Sequence, residues 1–510
     1  MTEMTRHIEI MDTTLRDGEQ TSGVSFIPHE KLMMARFLLE DLNVDRIEIA
    51  SARVSEGEKK AATSICSWAA RKGYLDRVEI LGFVDKGVSI QWIEQVGGRV
   101  INLLAKGSYR HCTQQLHKTP EEHLSDILEQ VNLAHQHHLD VNLYLEDWSN
   151  GMKDSPEYIY QLMDGLKDSC IRRYMLPDTL GVQSPTEVKV AVQDITQRYP
   201  QLHFEFHAHN DYDLAVANAL AAVQAGAKGL HTSINGLGER AGNAPLASVQ
   251  VALKDHLGVI TSIRESSLGK ASQIVASYSG IAIPPNKPVV GSNVFTQVAG
   301  VHADGDNKNN LYCNDLLPER FGRRREYALG KASGKANIRK NLEAIGLELD
   351  EESMKKVTGR IIELGDRKEL VTQEDLPYIV SDVLKHAPTC ERVRLVSYMV
   401  STAYGLKPVA SVRLEVDKKI HESSATGDGQ YDAFVRCVRH IYKNKLHRDF
   451  PILTNYNVTI PPGGHTDALV QTTIEWSFQG RILKTHALDA DQTEAAIKAT
   501  VKLLNIISEP

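Results

Sequence analysis

The sequence predicts an α/β protein: a (β/α)8 (TIM) barrel followed by a small linker subdomain, a helical subdomain and a C-terminal α+β domain. Two observations predict the barrel. Eight short runs of apolar and β-branched residues alternate with amphipathic stretches of helical period over about 250 residues, the length of such a barrel. Polar residues then cluster directly after several of these runs. A doubly wound open sheet is the competing interpretation, but no GxGxxG motif follows the first predicted strand.

The elements of the predicted barrel follow one another in a regular order. The eight predicted strands are His7–Asp12, Asp45–Ala50, Arg77–Phe83, Val100–Ala105, Asp140–Glu146, Ile171–Pro177, His203–His207 and Gly229–Ile234. The clearest helices between them are Pro28–Leu42, Pro120–His138, Pro156–Leu166 and Tyr212–Ala225. Several of these helices begin with proline or follow Thr or Ser, which are typical helix N-termini.

The rest of the chain divides by composition and period. We assign residues 1–260 to the barrel, 261–325 to a linker rich in Gly, Asn and Pro, 326–388 to a helical subdomain and 389–510 to a C-terminal domain. The C-terminal domain is expected to contain strands at Val393–Met399, Val409–Val416, Tyr456–Ile460 and Ala468–Phe478, with helices at Tyr431–Tyr442 and Gln492–Leu504. The segment Gly427–Ala433 is similar to Asp489–Ala495, which indicates two copies of a strand–strand–helix unit.

The composition is that of a soluble globular protein, with 42% hydrophobic and 24% charged residues and a net charge of −7. No run approaches the roughly 18 apolar residues that a membrane span needs, and the N-terminus has no signal-peptide pattern. The acidic balance argues against nucleic acid as a partner. The six cysteines form no CxxC pair, so we expect reduced thiols and a cytoplasmic protein.

Four polar residues after the predicted strands form a candidate metal site. His207 and His209 alternate along a strand, so both imidazoles face the same way. Asp17 and Asn243 follow other strands of the same predicted rim. An HxH pair alone is more often a hydrogen-bonded pair, but this mixed nitrogen and oxygen set suits Mn²⁺, Zn²⁺, Co²⁺ or Mg²⁺ with positions open for substrate. The set lacks a thiolate, which argues against a structural zinc.

Three further polar residues lie at the same rim. Arg16 beside a metal-bound carbonyl could stabilise negative charge that develops during C–C bond formation. Glu146 could act as, or hold, the base that removes a proton from carbon. The alternative is that Arg16 and Glu146 form a buried salt bridge. Thr179 could bind a substrate carboxylate or could equally cap a helix.

Three separated segments carry a resemblance to a known family: Asp12–Gln20 (DTTLRDGEQ), His207–Asp211 (HAHND) and Gly236–Asn243 (GLGERAGN). In this order they resemble the signature of the 2-isopropylmalate, homocitrate and citramalate synthases, and the likeness is closest to citramalate-forming members. The resemblance covers nearly the whole chain. It implies that the enolate of acetyl-CoA attacks a metal-chelated 2-oxo acid and that the resulting thioester is then hydrolysed.

The resemblance also implies residue roles. The implied metal ligands are Asp17, His207, His209 and Asn243, and the implied catalytic residues are Arg16, Glu146, His302 and Tyr312. Arg16 would polarise the keto oxygen, Glu146 would serve the base and Thr179 would hold the 2-oxo acid carboxylate. One departure is the stretch at 330–334, which reads GKASG where many isopropylmalate synthases have GKHSG. This departure counts against isopropylmalate as the product.

The inner wall of the barrel bears on the choice of 2-oxo acid. Leu81, Leu104 and Tyr144 lie near the ends of strands three to five, and they leave room for a small, uncharged side chain. A second carboxylate there would be costly, which argues against 2-oxoglutarate. Pyruvate and 2-oxoisovalerate differ by only about 1–3 kcal/mol per methylene, and similarity to the wall of citramalate synthases favours pyruvate. The alternative is that these residues are plain barrel core.

The resemblance further implies that the C-terminal domain is regulatory, pairs in a homodimer and binds the end-product amino acid. Isoleucine is the expected feedback effector of a citramalate enzyme, near Tyr431 and Asp432. Three alternatives stay open: a 2-isopropylmalate synthase that serves leucine synthesis, a lyase on the same barrel, and a non-catalytic amino-acid sensor. The long C-terminal extension disfavours the lyase, and the complete candidate ligand set disfavours the sensor.

Overall fold

The computed structural model describes residues 7–298, 313–344, 347–366, 371–384, 392–459 and 470–508. These residues fall into two compact units. The first comprises the chain up to Phe295 together with Asn314–Arg324, and the second comprises the rest. Across the described ranges, no helix combines the length and the apolar character that crossing a membrane requires. Among the described residues, Cys66, Cys112, Cys170 and Cys437 are free thiols.

The first unit is built around a closed barrel of eight parallel strands in sequence order, in which the last strand pairs with the first. The strands are β1 (Glu9–Asp12), β2 (Arg46–Ser51), β3 (Val78–Phe83), β4 (Val100–Lys106), β5 (Asp140–Glu146), β6 (Ile171–Asp178), β7 (Phe204–Ala208) and β8 (Gly229–Thr232). The predicted (β/α)8 barrel is therefore confirmed. The last strand ends earlier than expected, because Ile234–Gly236 forms a 3-10 turn instead.

Helices surround the barrel and continue beyond its last strand. They are Pro28–Arg36, Glu56–Lys72, Val88–Gln95, Pro120–Gln136, Trp148–Asp154, Pro156–Leu166, Pro185–Arg198, Ala215–Gln224, Leu246–Leu257 and Leu268–Ser279. Two of them begin with a capping box, in which Thr119 or Ser184 accepts from the N–H of Glu122 or Glu187 and a proline opens the helix. The predicted helix Pro28–Leu42 is an α-helix that ends in a π-helical turn at Phe37–Leu42.

The interior of the barrel carries charged side chains near the amino-terminal ends of its strands, the end opposite the mouth, which we call the lower end. Arg46 lies on β2 and is 3% exposed, and its guanidinium pairs with Glu79, Glu205 and Glu9. Arg173 pairs with Glu9 and Glu205 from the other side, at 3.0 and 3.2 Å. Buried charges are tolerated when they are paired in this way. We call Glu9, Arg46, Glu79, Arg173 and Glu205 the lower cluster.

The second unit contains a small helical part and two three-stranded antiparallel sheets. Its helices are Lys335–Ala344, Glu351–Asp366, Leu376–Leu384, Gln430–His440 and Gln492–Ile507, and its short paired strands are Thr296–Gln297 and Glu326–Tyr327. The sheets consist of Val393–Ser401, Val409–Val416 and Lys419–Thr426, and of Ile452–Thr459, Val470–Phe478 and Arg481–Asp489. Each sheet is followed by one helix, so the repeated unit has three strands, not the two that the sequence predicted.

The two missed strands are the last strands of tight hairpins. Residues Asp417 and Lys418 form one two-residue connection, and Gln479 and Gly480 form the other, all with positive φ. Such turns match the twist of an antiparallel pair. Helices Gln430–His440 and Gln492–Ile507 pack on the two sheets through one apolar core that includes Trp476, which is fully buried.

Candidate active site

The loops after β1 and β8 are braced against each other at the carboxyl end of the barrel. The Asp12 carboxylate accepts hydrogen bonds from the N–H and the hydroxyl of Thr14, both at 3.0 Å. The Thr14 hydroxyl in turn accepts from the N–H of Ile234, at 2.8 Å. Burial raises the pKa of Asp12 to about 7, against the effect of these hydrogen bonds. The brace brings the segment that carries Asp17 beside the loop that leads to Asn243.

The four predicted metal ligands lie together in this region. Asp17, His207 and His209 each offer a ligand atom, and the three atoms lie within 4.8 Å of one another. Nε2 of His207 is 3.2 Å from Oδ2 of Asp17. Asn243 pairs with His209 through an isolated backbone bridge. All four side chains are at least nine-tenths buried, and we call them the mouth cluster.

The loop after β8 needs glycine where it passes Asn243. A Cβ on Gly238 would lie 2.7 Å from Nδ2 of Asn243, and a Cβ on Gly242 would lie 1.9 Å from the carbonyl oxygen of Gly236. Both glycines have positive φ, of 157° and 84°, a range that L side chains rarely adopt. Gly238 and Gly242 of the GLGERAGN segment are therefore required by the backbone conformation, because they let the loop fold tightly around the Asn243 amide.

The mouth cluster fits a divalent cation. Nδ1 of His207, Nδ1 of His209 and both amide atoms of Asn243 are buried without a hydrogen-bond partner among the described residues. Buried polar atoms are normally partnered. Burial and the neighbouring His207 lower the pKa of His209 to about 3, so its ring is neutral and can act as a ligand. Burial opposes ionisation of Asp17, but Arg16 and His207 hold its pKa well below the ordinary value.

Arg16 does not pair with Glu146, so the salt-bridge interpretation was wrong for the described chain. Its guanidinium instead contacts the fully buried carboxylate of Glu48, with Nε and Nη2 each 2.5 Å from Oε2. Nη1 lies 3.4 Å from Oδ2 of Asp17 and Nη2 lies 3.5 Å from the hydroxyl of Tyr144. Burial alone would lower the pKa of Arg16, but Glu48 and Asp17 raise it, so the guanidinium is charged.

Sequence reasoning missed Glu48. The sequence pattern that could have identified Glu48 is the alternation of Arg46, Glu48 and Ala50 along β2. Alternate residues share one face of a strand, so two charged residues lie on the interior face of a strand that is buried on both sides. Oε1 of Glu48 also accepts a hydrogen bond from Asn102, at 2.8 Å. Glu48 is thus fixed from two sides and holds Arg16 at the mouth.

Glu146 ends β5, and its partner is Lys106, which ends the neighbouring β4. The two residues are in register, and the Lys106 ammonium forms an ion pair with Oε2 of Glu146. The side chain of Glu146 is 27% exposed. Lys106 was also missed, although it sits at a strand end, where polar residues in such a barrel carry chemistry.

Thr179 follows β6, and both its polar groups are engaged. Its hydroxyl oxygen accepts from the N–H of Asp147, the residue that precedes helix Trp148–Asp154, at 2.9 Å. Its carbonyl accepts from Arg240, which also binds Asp211 through two hydrogen bonds of 2.8 and 3.0 Å. The hydroxyl proton of Thr179 is left to donate in another direction.

The predicted substrate wall forms an apolar cluster inside the barrel. Leu81 and Tyr144 pack with Met11 and Met175, and Leu104 packs against them. Leu81 is 5% and Tyr144 3% exposed. Tyr144 supplies the polar atom of this wall, because its hydroxyl faces Arg16 on one side and Nδ1 of His231 on the other.

The remaining predicted residues lie elsewhere. His302 and Tyr312 lie outside the described residues. Tyr431, on helix Gln430–His440, hydrogen-bonds the hydroxyl of Thr500 at 2.7 Å, and its ring centroid is 5.3 Å from that of Tyr456. The Asp432 carboxylate accepts from the N–H of Asp428 at 2.8 Å and pairs with Arg436 at 2.9 Å.

Comparison with protein families divides the chain into three matches. Residues 7–275 match the HMGL-like family, 289–369 match the homocitrate synthase post-HMGL domain-like family and 370–508 match the LeuA allosteric (dimerisation) domain. A protein of Methanopyrus kandleri that is provisionally named an (R)-citramalate synthase is 35% identical over 98% of this chain and 96% of its own length.

Two relatives from Methanocaldococcus jannaschii are nearly as similar. The (R)-citramalate synthase is 33% identical over 98% of this chain and 99% of its own length. The 2-isopropylmalate synthase is 34% identical over 98% of this chain and 94% of its own length. With a confirmed barrel, a complete set of three domain matches and these full-length relatives, the chain belongs to the HMGL-like family of citramalate and 2-isopropylmalate synthases.

Proposed function

We propose that this enzyme condenses acetyl-CoA with pyruvate and hydrolyses the thioester to give (R)-citramalate. Its relatives are synthases that bear two different product names at similar identity, so the choice of 2-oxo acid rests on the site. The observation that carries the choice is the apolar cluster that contains Leu81, Leu104 and Tyr144, because the Tyr144 hydroxyl of this wall lies 3.5 Å from Nη2 of Arg16.

The mouth cluster would hold the divalent cation. Asp17, His207, His209 and Asn243 supply one carboxylate, two imidazoles and an amide, which suits Mn²⁺, Zn²⁺, Co²⁺ or Mg²⁺. When bound, such an ion supplies Lewis acidity and a template for a 2-oxo acid. The absence of a thiolate from the cluster favours exchangeable oxygen and nitrogen coordination over a closed structural site.

The chain's own residues support each chemical step. The charged guanidinium of Arg16, fixed by Glu48, would stabilise the negative charge that develops on the keto oxygen as the C–C bond forms. Glu146 would serve the base that takes a proton from the acetyl methyl group. Thr179, whose hydroxyl oxygen accepts from the N–H of Asp147, would donate its hydroxyl proton to the substrate carboxylate. Water then cleaves the C–S bond, and the products are citramalate and free CoA.

The wall sets the size and charge of the accepted 2-oxo acid. Its side chains are apolar except for the Tyr144 hydroxyl, and a carboxylate placed against Leu81 and Leu104 would lose its hydration without gaining a hydrogen-bond donor from them. We therefore expect 2-oxoglutarate to be rejected strongly. Discrimination between pyruvate and 2-oxoisovalerate depends on volume alone and is therefore weaker.

The C-terminal domain would supply dimerisation and feedback control. Its match to an allosteric dimerisation domain supports this proposal, and we propose isoleucine as the effector near Tyr431 and Asp432. If so, isoleucine should inhibit turnover more strongly than leucine, and Tyr431→Ala should raise the concentration needed for half-inhibition. Equal inhibition by both amino acids, or an unchanged response in the variant, would contradict the assignment.

The direct test of the reaction is the release of free thiol from acetyl-CoA in the presence of Mn²⁺ or Mg²⁺. Pyruvate, 2-oxoisovalerate and 2-oxoglutarate are compared in parallel, and each is repeated with excess chelator as the control. A marked preference for pyruvate is expected. A preference for 2-oxoisovalerate would make the protein a 2-isopropylmalate synthase and would refute our interpretation of the wall.

A further inference from the structure

A line of buried hydrogen bonds connects the lower cluster to the mouth of the barrel. Nε2 of His231 lies 3.0 Å from Oε2 of Glu205, and Nδ1 of the same ring lies 3.0 Å from the hydroxyl of Tyr144. That hydroxyl lies 3.5 Å from Nη2 of Arg16. Glu205 and His231 are no more than 2% exposed, so water does not compete with these contacts.

The lower end of this line is an ionised carboxylate. Glu205 receives Arg46 and Arg173 and also lies 3.0 Å from Nε2 of His203. Two guanidiniums, which are always charged, pair with this carboxylate, so it is ionised. A carboxylate can only accept hydrogen bonds. Nε2 of His231 must therefore carry the proton in this bond.

That proton decides the direction of every bond above it. The guanidinium of Arg16 can only donate to the Tyr144 hydroxyl, so among the described residues the hydroxyl's own proton has one acceptor within reach, Nδ1 of His231 at 3.0 Å. Nδ1 is therefore unprotonated, and the ring is neutral. A neutral imidazole with hydrogen on Nε2 has a bare Nδ1 that can only accept. The Tyr144 hydroxyl must then donate its single proton to His231, and its free lone pairs face Arg16, whose guanidinium can only donate.

We propose that Glu205 and His231 are positioning residues that fix the Tyr144 hydroxyl as a hydrogen-bond acceptor on the substrate side. This inference rests on the proposed function, because it assumes that the wall containing Tyr144 contacts the 2-oxo acid. It adds the direction of the hydrogen bonds at the Tyr144 hydroxyl. Tyr144 then holds the second edge of the Arg16 guanidinium, whose first edge is held by Glu48. It has no proton left for a carboxylate on the substrate side chain, which adds to the exclusion of acidic 2-oxo acids.

The direction of these hydrogen bonds can be tested without an activity assay, by determining which ring nitrogen of His231 carries the proton. In a two-bond ¹H–¹⁵N correlation spectrum of the full chain, the His231 signals are identified by their disappearance in His231→Asn. We expect a neutral ring with a protonated Nε2 and an unprotonated Nδ1. A ring protonated on Nδ1, or on both nitrogens, would overturn the proposal, because Tyr144 would then accept from His231.

Kinetics test whether the polarity matters to the reaction. His231→Leu removes the acceptor for Tyr144, whereas His231→Asn keeps an amide oxygen near the position of Nδ1. We expect His231→Leu to lower kcat/KM for the 2-oxo acid about tenfold, the value of one hydrogen bond, with the KM for acetyl-CoA unchanged. His231→Asn should recover most of the loss.

A double-mutant cycle separates positioning from packing. In a Tyr144→Phe background the hydroxyl is absent, so His231→Leu should cause no further loss of kcat/KM. Equal losses in both backgrounds would show that His231 acts by packing alone and would overturn the proposal. If the leucine variant fails to fold, the asparagine variant and the spectrum still decide. A wild-type protein that is inactive with every 2-oxo acid but shows the expected tautomer would refute the proposed function and leave the polarity intact.

Discussion

The barrel encloses two polar clusters at different depths, and they differ in how their charges are partnered. In the lower cluster every guanidinium and carboxylate forms at least one ion pair, although within the described part of the chain Nε of Arg46 and Oε2 of Glu79 have no hydrogen bond of their own. In the mouth cluster the Asn243 amide and one nitrogen each of His207 and His209 are buried without a hydrogen-bond partner among the described residues. A paired network stabilises a structure by itself, whereas unpartnered groups at a strand end indicate a ligand.

The comparison also decides between two groups of potential metal ligands. Glu9, His203 and Glu205 come close enough together to bind an ion. However, Arg46 and Arg173 already bring positive charge to Glu9 and Glu205. A metal cation there would be repelled by both guanidiniums. The mouth cluster has Arg16 at one side but no cation among its three clustered ligand atoms, so we expect one metal site in this barrel.

The largest expected effect is the loss of a mouth ligand. Asp17→Asn or His207→Ala should reduce turnover by on the order of 10³-fold or more, because the Lewis acid contributes several kcal/mol. Steady-state thiol release measures this loss. The matched control is His29→Ala, which removes an exposed histidine and should leave turnover unchanged. Full activity in Asp17→Asn would contradict the metal assignment.

The next effect lies in the lower cluster and concerns stability. Arg46→Met leaves three carboxylates without their shared cation, so the free energy of unfolding should fall by about 3–5 kcal/mol. Asn243→Ala removes an amide that is already unpartnered, and without metal it should change this free energy by about 1 kcal/mol or less. Denaturant unfolding in the presence of chelator measures both. Equal losses would erase the distinction between the clusters.

An intermediate effect is expected at the wall above the lower cluster. Leu81→Ala enlarges the pocket beside Tyr144, and it should raise the ratio of kcat/KM for 2-oxoisovalerate over pyruvate by about tenfold or more. The assay compares both substrates at limiting concentration. Phe83→Ala, at the exposed end of the same strand, is the control and should alter the ratio less. An unchanged ratio in Leu81→Ala would remove the basis for choosing pyruvate.

The smallest effect is expected at the rim, where Lys106 pairs with Glu146. This ion pair is partly exposed, so its contribution is modest, about 1 kcal/mol. Lys106→Gln should lower kcat about fivefold by freeing the Glu146 carboxylate from one orientation, whereas Lys106→Arg should retain most activity. A loss as large as that of Glu146→Gln would show that Lys106 itself takes part in the chemistry.

Much of the fold was predictable, because barrel strands are buried on both faces and appear as continuous apolar runs. Strand Asp140–Glu146 was predicted to the residue. Strand Lys419–Thr426 was missed because its sequence KIHESSAT is mostly polar and its pairing is set by the turn at Asp417 and Lys418. Local pattern does not show a strand that is defined by its neighbour.

The site was predictable in part for a similar reason. The three motifs place Asp17, His207, His209 and Asn243 at strand ends, and the topology of a barrel then brings them together. The partners of Arg16 and Glu146 were not predictable from those motifs. Glu48 lies on β2 and Lys106 on β4. Only the strand register of the closed barrel shows that Glu48 pairs with Arg16 and that Lys106 pairs with Glu146.

The most direct test of this account is a calorimetric titration of the chelated full-length protein with Mn²⁺, run in parallel on His207→Ala and on Arg46→Met. We predict one binding site per chain in the wild type, its loss in His207→Ala, and its retention in Arg46→Met at a temperature where that variant is folded. Undiminished binding in His207→Ala, or two sites per chain in the wild type, would contradict the claim that the unpartnered groups of the mouth cluster form the metal site.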